Sequence, residues 1–77
     1  MFTAADLLHL QKRRPFVPFR IHTTDGASYD VHHPELLWVF QRRITIGVPA
    51  NADGLLQDMH FCALLHIARV QELSPTG

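Results

Sequence analysis

Six histidines, six arginines and one cysteine are the residues of this 77-residue chain with chemistry to offer. Metal ligation comes first. On a strand, His60 and Cys62 would project to one face, and His32 or His33 could add an imidazole. Adjacent strand residues point to opposite faces, so His32 and His33 cannot both enter one site. No C-x-x-C, H-x-x-x-H or paired-carboxylate spacing accompanies them, and no metal is expected. As a nucleophile, Cys62 has only His60 nearby as a base, an awkward geometry for proton transfer along one strand. Its neighbours Phe61, Ala63 and Leu64 favour a buried thiol instead. There is no GxGxxG, Walker loop, HExxH or nucleophile elbow. No catalytic residue and no cofactor is therefore assigned. The chain reads as a non-enzymatic binding or interaction module, with a metal- or thiol-dependent enzyme as the competing class.

The arginines are the stronger lead. With six arginines against one lysine, the basic groups suit bidentate contacts to phosphate or carboxylate. Arg13 and Arg14 end a predicted helix, and Arg42 and Arg43 fall in a predicted turn. These four are the candidate ligand-binding residues. Seven basic residues balance seven acidic ones, which removes the general attraction to a polyanion and leaves a local patch as the route to RNA or DNA.

Positioning these groups requires a folded body. A composition of 47% hydrophobic and 18% charged residues is that of a globule, and a chain this short supports one core. One domain over residues 1–73 is expected, with 74–77 as a frayed tail. A single cysteine excludes an internal disulfide and fits a reducing compartment. No run of eighteen apolar residues occurs, and the basic residues near the N-terminus follow its apolar stretch. A soluble, cytoplasmic chain with no membrane partner is the expectation.

Thr3 and Asp6 form a capping-box variant ahead of Leu7, Leu8 and Leu10, with Lys12, Arg13 and Arg14 at the far end. This predicts a helix over about residues 4–13. Pro15 and Pro18 stop it and stiffen the entry to a strand. In the segment 18–33, a two-residue turn at Asp25-Gly26 would mix Phe19 and Ile21 with Asp30 and His32 on one face. A three-residue loop with Gly26 left-handed pairs Phe19 with Val31, Ile21 with Tyr29 and Thr23 with Ala27. Arg20 then lies opposite Asp30, and His22 opposite Ser28. Both the apolar face and the ion pair select this register.

Pro34 ends that ribbon, and a second hairpin follows around Gln41-Arg42-Arg43. Pairing Val39 with Ile44 turns Leu37, Val39, Ile44 and Ile46 inward and Leu36, Trp38 and Phe40 outward. A slip by one residue buries Trp38 and Phe40 instead. The sequence leaves this open, and with it the identity of Leu36, Trp38 and Phe40 as core or as an interface for a like subunit. Residues 49–54 are a loop by composition. The segment 55–73 carries helical spacing at Leu56, Met59, Ala63, Leu64, Ile67 and Val70, yet also alternates through Met59, Phe61 and Ala63. Read as two strands with a kink near Ala63-Leu64, it completes a small antiparallel barrel or strongly bent five-stranded sheet. The N-terminal helix would cover one open end. The core is then drawn from Leu7, Phe19, Ile21, Tyr29, Val31, Ile44, Ile46, Phe61 and Ile67.

The strings RRPFVPFRIHTTDGASYDVHHPELL, RRITIGVP and LLHIARVQEL resemble a family of short uncharacterised bacterial proteins. Members show R-P-F-x-P-F-x-I, a D-G turn, V-x-H-P-E, a paired-arginine turn and an L-H-I-x-R-I-E-type ending. The resemblance spans nearly the whole chain and, without an assigned activity, implies no site residues. More loosely, a short helix before bent strands, with MHFCALLHIARV near the end, is similar to the Sm-like small barrels, among them a ring-forming RNA chaperone. In that chaperone a Tyr-Lys-His-Ala signature stands where this chain has His60-Phe61-Cys62-Ala63, so the basic residue is missing here. The Sm-like resemblance implies a homo-oligomer and a possible RNA partner. The small size of the core also favours self-association.

Overall fold

The structure is a computed structural model, and it describes residues 1–50 and 55–73. Helix α1 (Ala4–Lys12) opens the chain. The Thr3 hydroxyl accepts from Asp6 N–H while the Asp6 carboxylate accepts from Thr3 N–H, a reciprocal cap. Leu7 is its fully buried residue, and Gln11 Nε2 donates to the carbonyls of Pro34 and Leu37, tying the helix to the strands.

Among the described residues six strands follow, against the five of the expected sheet: β1 (Phe19–Thr23), β2 (Ser28–Val31), β3 (Leu37–Val39), β4 (Arg43–Pro49), β5 (Leu56–Ala63) and β6 (Ile67–Glu72). They form two antiparallel three-stranded sheets, sheet A ordered β2-β1-β6 and sheet B ordered β3-β4-β5. Short 3-10 turns, Pro34–Leu36 and Leu64–His66, carry the chain from sheet A to sheet B and back again. Each turn delivers a buried residue, Leu37 or Ile67, to the start of the next strand. Among the described residues the ladders do not close into a barrel; β2 and β6 edge one sheet, β3 and β5 the other.

The first hairpin has the register expected of it: Phe19↔Val31, Ile21↔Tyr29 and Arg20↔Asp30 are paired, and Gly26 has φ +89°. In the second, Val39 pairs with Ile44 and Leu37 with Ile46. This is the register that turns Trp38 and Phe40 outward. Leu36 departs from that row, since it sits half-buried in the 3-10 turn. Arg43 belongs to β4, and Phe40 N–H donates to its carbonyl, so the turn itself is Gln41-Arg42.

The core comprises Leu7, Phe19, Ile21, Val31, Leu37, Ile44, Ile46, Cys62, Leu64 and Ile67. Phe61 is not in it. Ile44 pairs with Cys62 and Thr45 with Phe61, so the pleat that buries Ile44 also buries Cys62 and turns Phe61 out, leaving it 69% exposed. Tyr29 packs against the core while partly exposed. Of the loop expected at 49–54, Pro49 is instead the last residue of β4, paired with Leu56, while residues 51–54 and the frayed tail expected at 74–77 lie outside the described residues.

Candidate functional site

The two sheets present unlike outer faces. On sheet A, alternation places Arg20, His22, Ser28, Asp30, Arg69 and Gln71 outward. Arg20 grips Asp30 through Nε–Oδ1 at 2.6 Å and Nη2–Oδ2 at 3.1 Å. This fork holds the Asp30 carboxyl below the usual carboxylate range and raises the Arg20 guanidinium, in both cases chiefly through the hydrogen bonds they share. His22 Nε2 lies 3.0 Å from Gln71 Oε1 and accepts from Arg69 Nη2 at 3.2 Å. This face is polar, and the Arg20–Asp30 and Arg69–His22 contacts link its side chains to one another.

Sheet B is the opposite. Trp38 pairs with Thr45, Thr45 with Phe61, and Gly47 with Met59, which sets these side chains on one outer surface. Trp38 is 39% exposed, Met59 42% and Leu56 41%. A methyl group on Gly47 would stand 3.2 Å from both Trp38 Cζ3 and Leu56 Cδ2, so the three residues are in close packing. At one end of the face the Arg43 guanidinium lies 5.0 Å from the Phe40 ring centroid. Thr45 is buried beneath this surface at 2% exposure, and its hydroxyl has no hydrogen-bond partner among the described residues.

The four candidate arginines are not brought together. Arg13 and Arg14 follow the end of α1, where Arg13 Nη2 binds Glu72 Oε2 at 3.2 Å and Arg14 donates to the carbonyls of Arg13 and Gln11. Arg42 lines a cavity of about 270 Å³ with Phe2, Thr3 and Ala4 at the start of that helix. The nine residues of α1 separate the two places, a length of ~13 Å. Arg43 is engaged with Phe40.

The histidines and cysteine are similarly dispersed. Among the described residues no three His, Cys, Asp or Glu side chains gather as a metal site. His60 and Cys62 do share the inner side of β5. His60, however, packs on the Tyr29 ring at 4.8 Å between centroids. Burial pushes the Cys62 thiol up, away from the thiolate a nucleophile needs, and its Sγ–H points to the Ala63 carbonyl at 3.4 Å. No described helix is long and apolar enough to cross a membrane.

Sequence reasoning found Trp38 and Phe40 and missed Met59, Phe61 and Leu56. The missing signal is the parity of β5, which only its pairing to β4 supplies. It also missed a cleft of about 540 Å³ between β2 and the end of β4, floored by Tyr29 and His60. Comparison with protein-family models, curated proteins and solved structures returned no match.

Proposed function

We propose that this chain is a non-enzymatic interaction module that associates with further copies of itself through the outer face of sheet B. One observation carries this: Trp38, Leu56, Met59 and Phe61 stand exposed on that face, whereas the outer face of sheet A is polar. Aromatic residues and methionine in a contiguous exposed patch are the composition of an interface core. A core of ten buried hydrophobic residues among those described is small, and association adds burial to it.

A Sm-like small-barrel arrangement fits this role. Support comes from the N-terminal helix tied to β3, and from the two 3-10 turns that bend the chain between sheets. Membership of the family with the R-P-F-x-P-F-x-I and L-H-I-x-R patterns is part of the same proposal. Those patterns supply Phe19, Ile21 and Ile67 to the core, so they serve folding.

Size-exclusion chromatography with light scattering tests the proposal. Wild type should run as an oligomer, and Trp38→Glu and Phe61→Glu should each give folded, smaller particles. A wild-type monomer at high concentration overturns it. Nucleic acid retained through purification and released by nuclease would favour an RNA-binding module instead.

A further inference from the structure

The cleft between the two sheets is walled by strand edges that pair with no further strand among the described residues. Thr23 N–H donates to the Ala27 carbonyl at 2.9 Å, which fixes the phase of the first ladder. Ile21↔Tyr29 and Phe19↔Val31 then exchange bonds. Ser28 and Asp30, the alternate residues of β2, therefore direct their N–H and C=O groups away from β1. On the opposite wall the β3 ladder stops at Leu37↔Ile46, while β4 runs on through Gly47, Val48 and Pro49. Phe40 N–H bonded to the Arg43 carbonyl sets the phase there, and it places the Gly47 carbonyl on the side β3 has left. Ser28, Asp30, Gly47, Val48 and Pro49 all line the cleft.

We propose that this seam binds an extended peptide of a partner protein, added as a strand to the β2 edge and flanked by the end of β4. Strand spacing, sheet thickness and rise per residue give roughly 160 Å³ per residue in a sheet. The cleft of about 540 Å³ thus holds roughly three to four residues. Wall chemistry sets the pattern. A side chain pointing inward meets Tyr29, Ile46, Val48 and His60 and should be apolar. Neighbours pointing outward meet Arg20, Asp30 and His32, where the Arg20–Asp30 pair is already neutralised, and should be polar and uncharged. The occupant is a linear segment, because a strand flanked on both sides must have both of its edges free. Every strand among the described residues is already paired on at least one edge, which disqualifies a second folded copy. This mode is strand addition, in which backbone bonds supply affinity and alternate pockets supply choice. It stands independently of self-association through sheet B.

The probe is acetyl-Thr-Val-Thr-Val-Thr-amide titrated into labelled protein, with acetyl-Thr-Val-Pro-Val-Thr-amide as control. At saturation the Ser28 and Asp30 amides should exchange roughly tenfold more slowly, as newly bonded amides do, and the Tyr29 and His60 ring resonances should shift. The proline peptide should produce neither change. Ser28→Pro removes an N–H that β1 does not use, at the first residue of a strand where proline is tolerated. It should fold and lose binding, while Ser28→Ala should bind as wild type does. Absence of any shift at millimolar peptide, or equal shifts with the proline control, overturns the proposal. So does concentration-dependent protection of Ser28 and Asp30 without peptide, which would give the seam to a second copy.

Discussion

The Trp38 indole lies against the backbone of Gly47 on the neighbouring strand, close enough that a Cβ there would meet Cζ3 at 3.2 Å and Cη2 at 3.4 Å. The missing side chain at position 47 is what lets the indole lie down on sheet B. Gly47→Ala should lift it. The alanine recovers part of the strand entropy that glycine forfeits, but crowding outweighs this, and a net loss of about 1 kcal/mol is expected. Trp38 fluorescence should move to the red. Combining Gly47→Ala with Trp38→Ala should cancel most of the loss, a coupling that thermal melts of all four proteins would measure. Equal stability of Gly47→Ala and wild type would mean that the indole rests elsewhere.

The pleat of β5 gives a second expectation. Phe19 is fully buried and Phe61 is 69% exposed. Phe19→Ala should cost about 3–5 kcal/mol, comparable with the whole stability of a small domain, about 5 kcal/mol. It should be largely unfolded by circular dichroism. Phe61→Ala should change stability by no more than about 0.5 kcal/mol when measured on dilute, dissociated protein. A collapse of Phe61→Ala would reverse the parity of β5.

Acid titration bears on the Arg20–Asp30 fork. Asp30 is held below its ordinary pKa by the Arg20 hydrogen bonds, so its contribution to stability is present above the unfolded value of about 3.9. It is lost as pH falls through the lower folded value. Arg20 is shifted upward from an already high value, so its linkage falls outside the working range. Asp30→Asn should lower the melting temperature by about 2–5 °C at pH 7. The gap should narrow below about pH 4, where Asp30 of the unfolded chain begins to take up a proton, and close once pH passes the lower folded value. A gap that stays constant down to pH 2 would show that charge is irrelevant to the pair.

How much of this was legible depends on the contrast between the two faces of each strand. In the first hairpin, Phe19, Ile21 and Val31 alternate with Arg20, His22 and Asp30, and a slip by one residue would bury charges. The register is therefore written in the sequence. In β5, Met59 and Phe61 are as apolar as Cys62 and Leu64, so parity waits on the bond partners in β4. Likewise Leu37 and Val39 compete with Trp38 and Phe40. The arginine pairs were visible as pairs, but their separation is a consequence of helix length and of where the Gln41-Arg42 turn docks. The seam has no local signature, since it arises where one ladder stops short of another.

Thr45 offers the most direct test of the face that Trp38 occupies. It lies between Trp38 and Phe61 in register, is 2% exposed, and its hydroxyl has no partner among the described residues. An unbonded buried hydroxyl is a net cost, because it has given up water and received nothing. Valine keeps the branched shape and strand preference while removing the oxygen. Thr45→Val should therefore raise stability by about 1 kcal/mol, seen as an upward shift in the urea midpoint with an unchanged slope. Thr45→Ser keeps the hydroxyl and loses the methyl, and should fall below wild type. If Thr45→Val is instead destabilising, the hydroxyl has a partner in solution, and the outer face of sheet B is covered in a way that satisfies it.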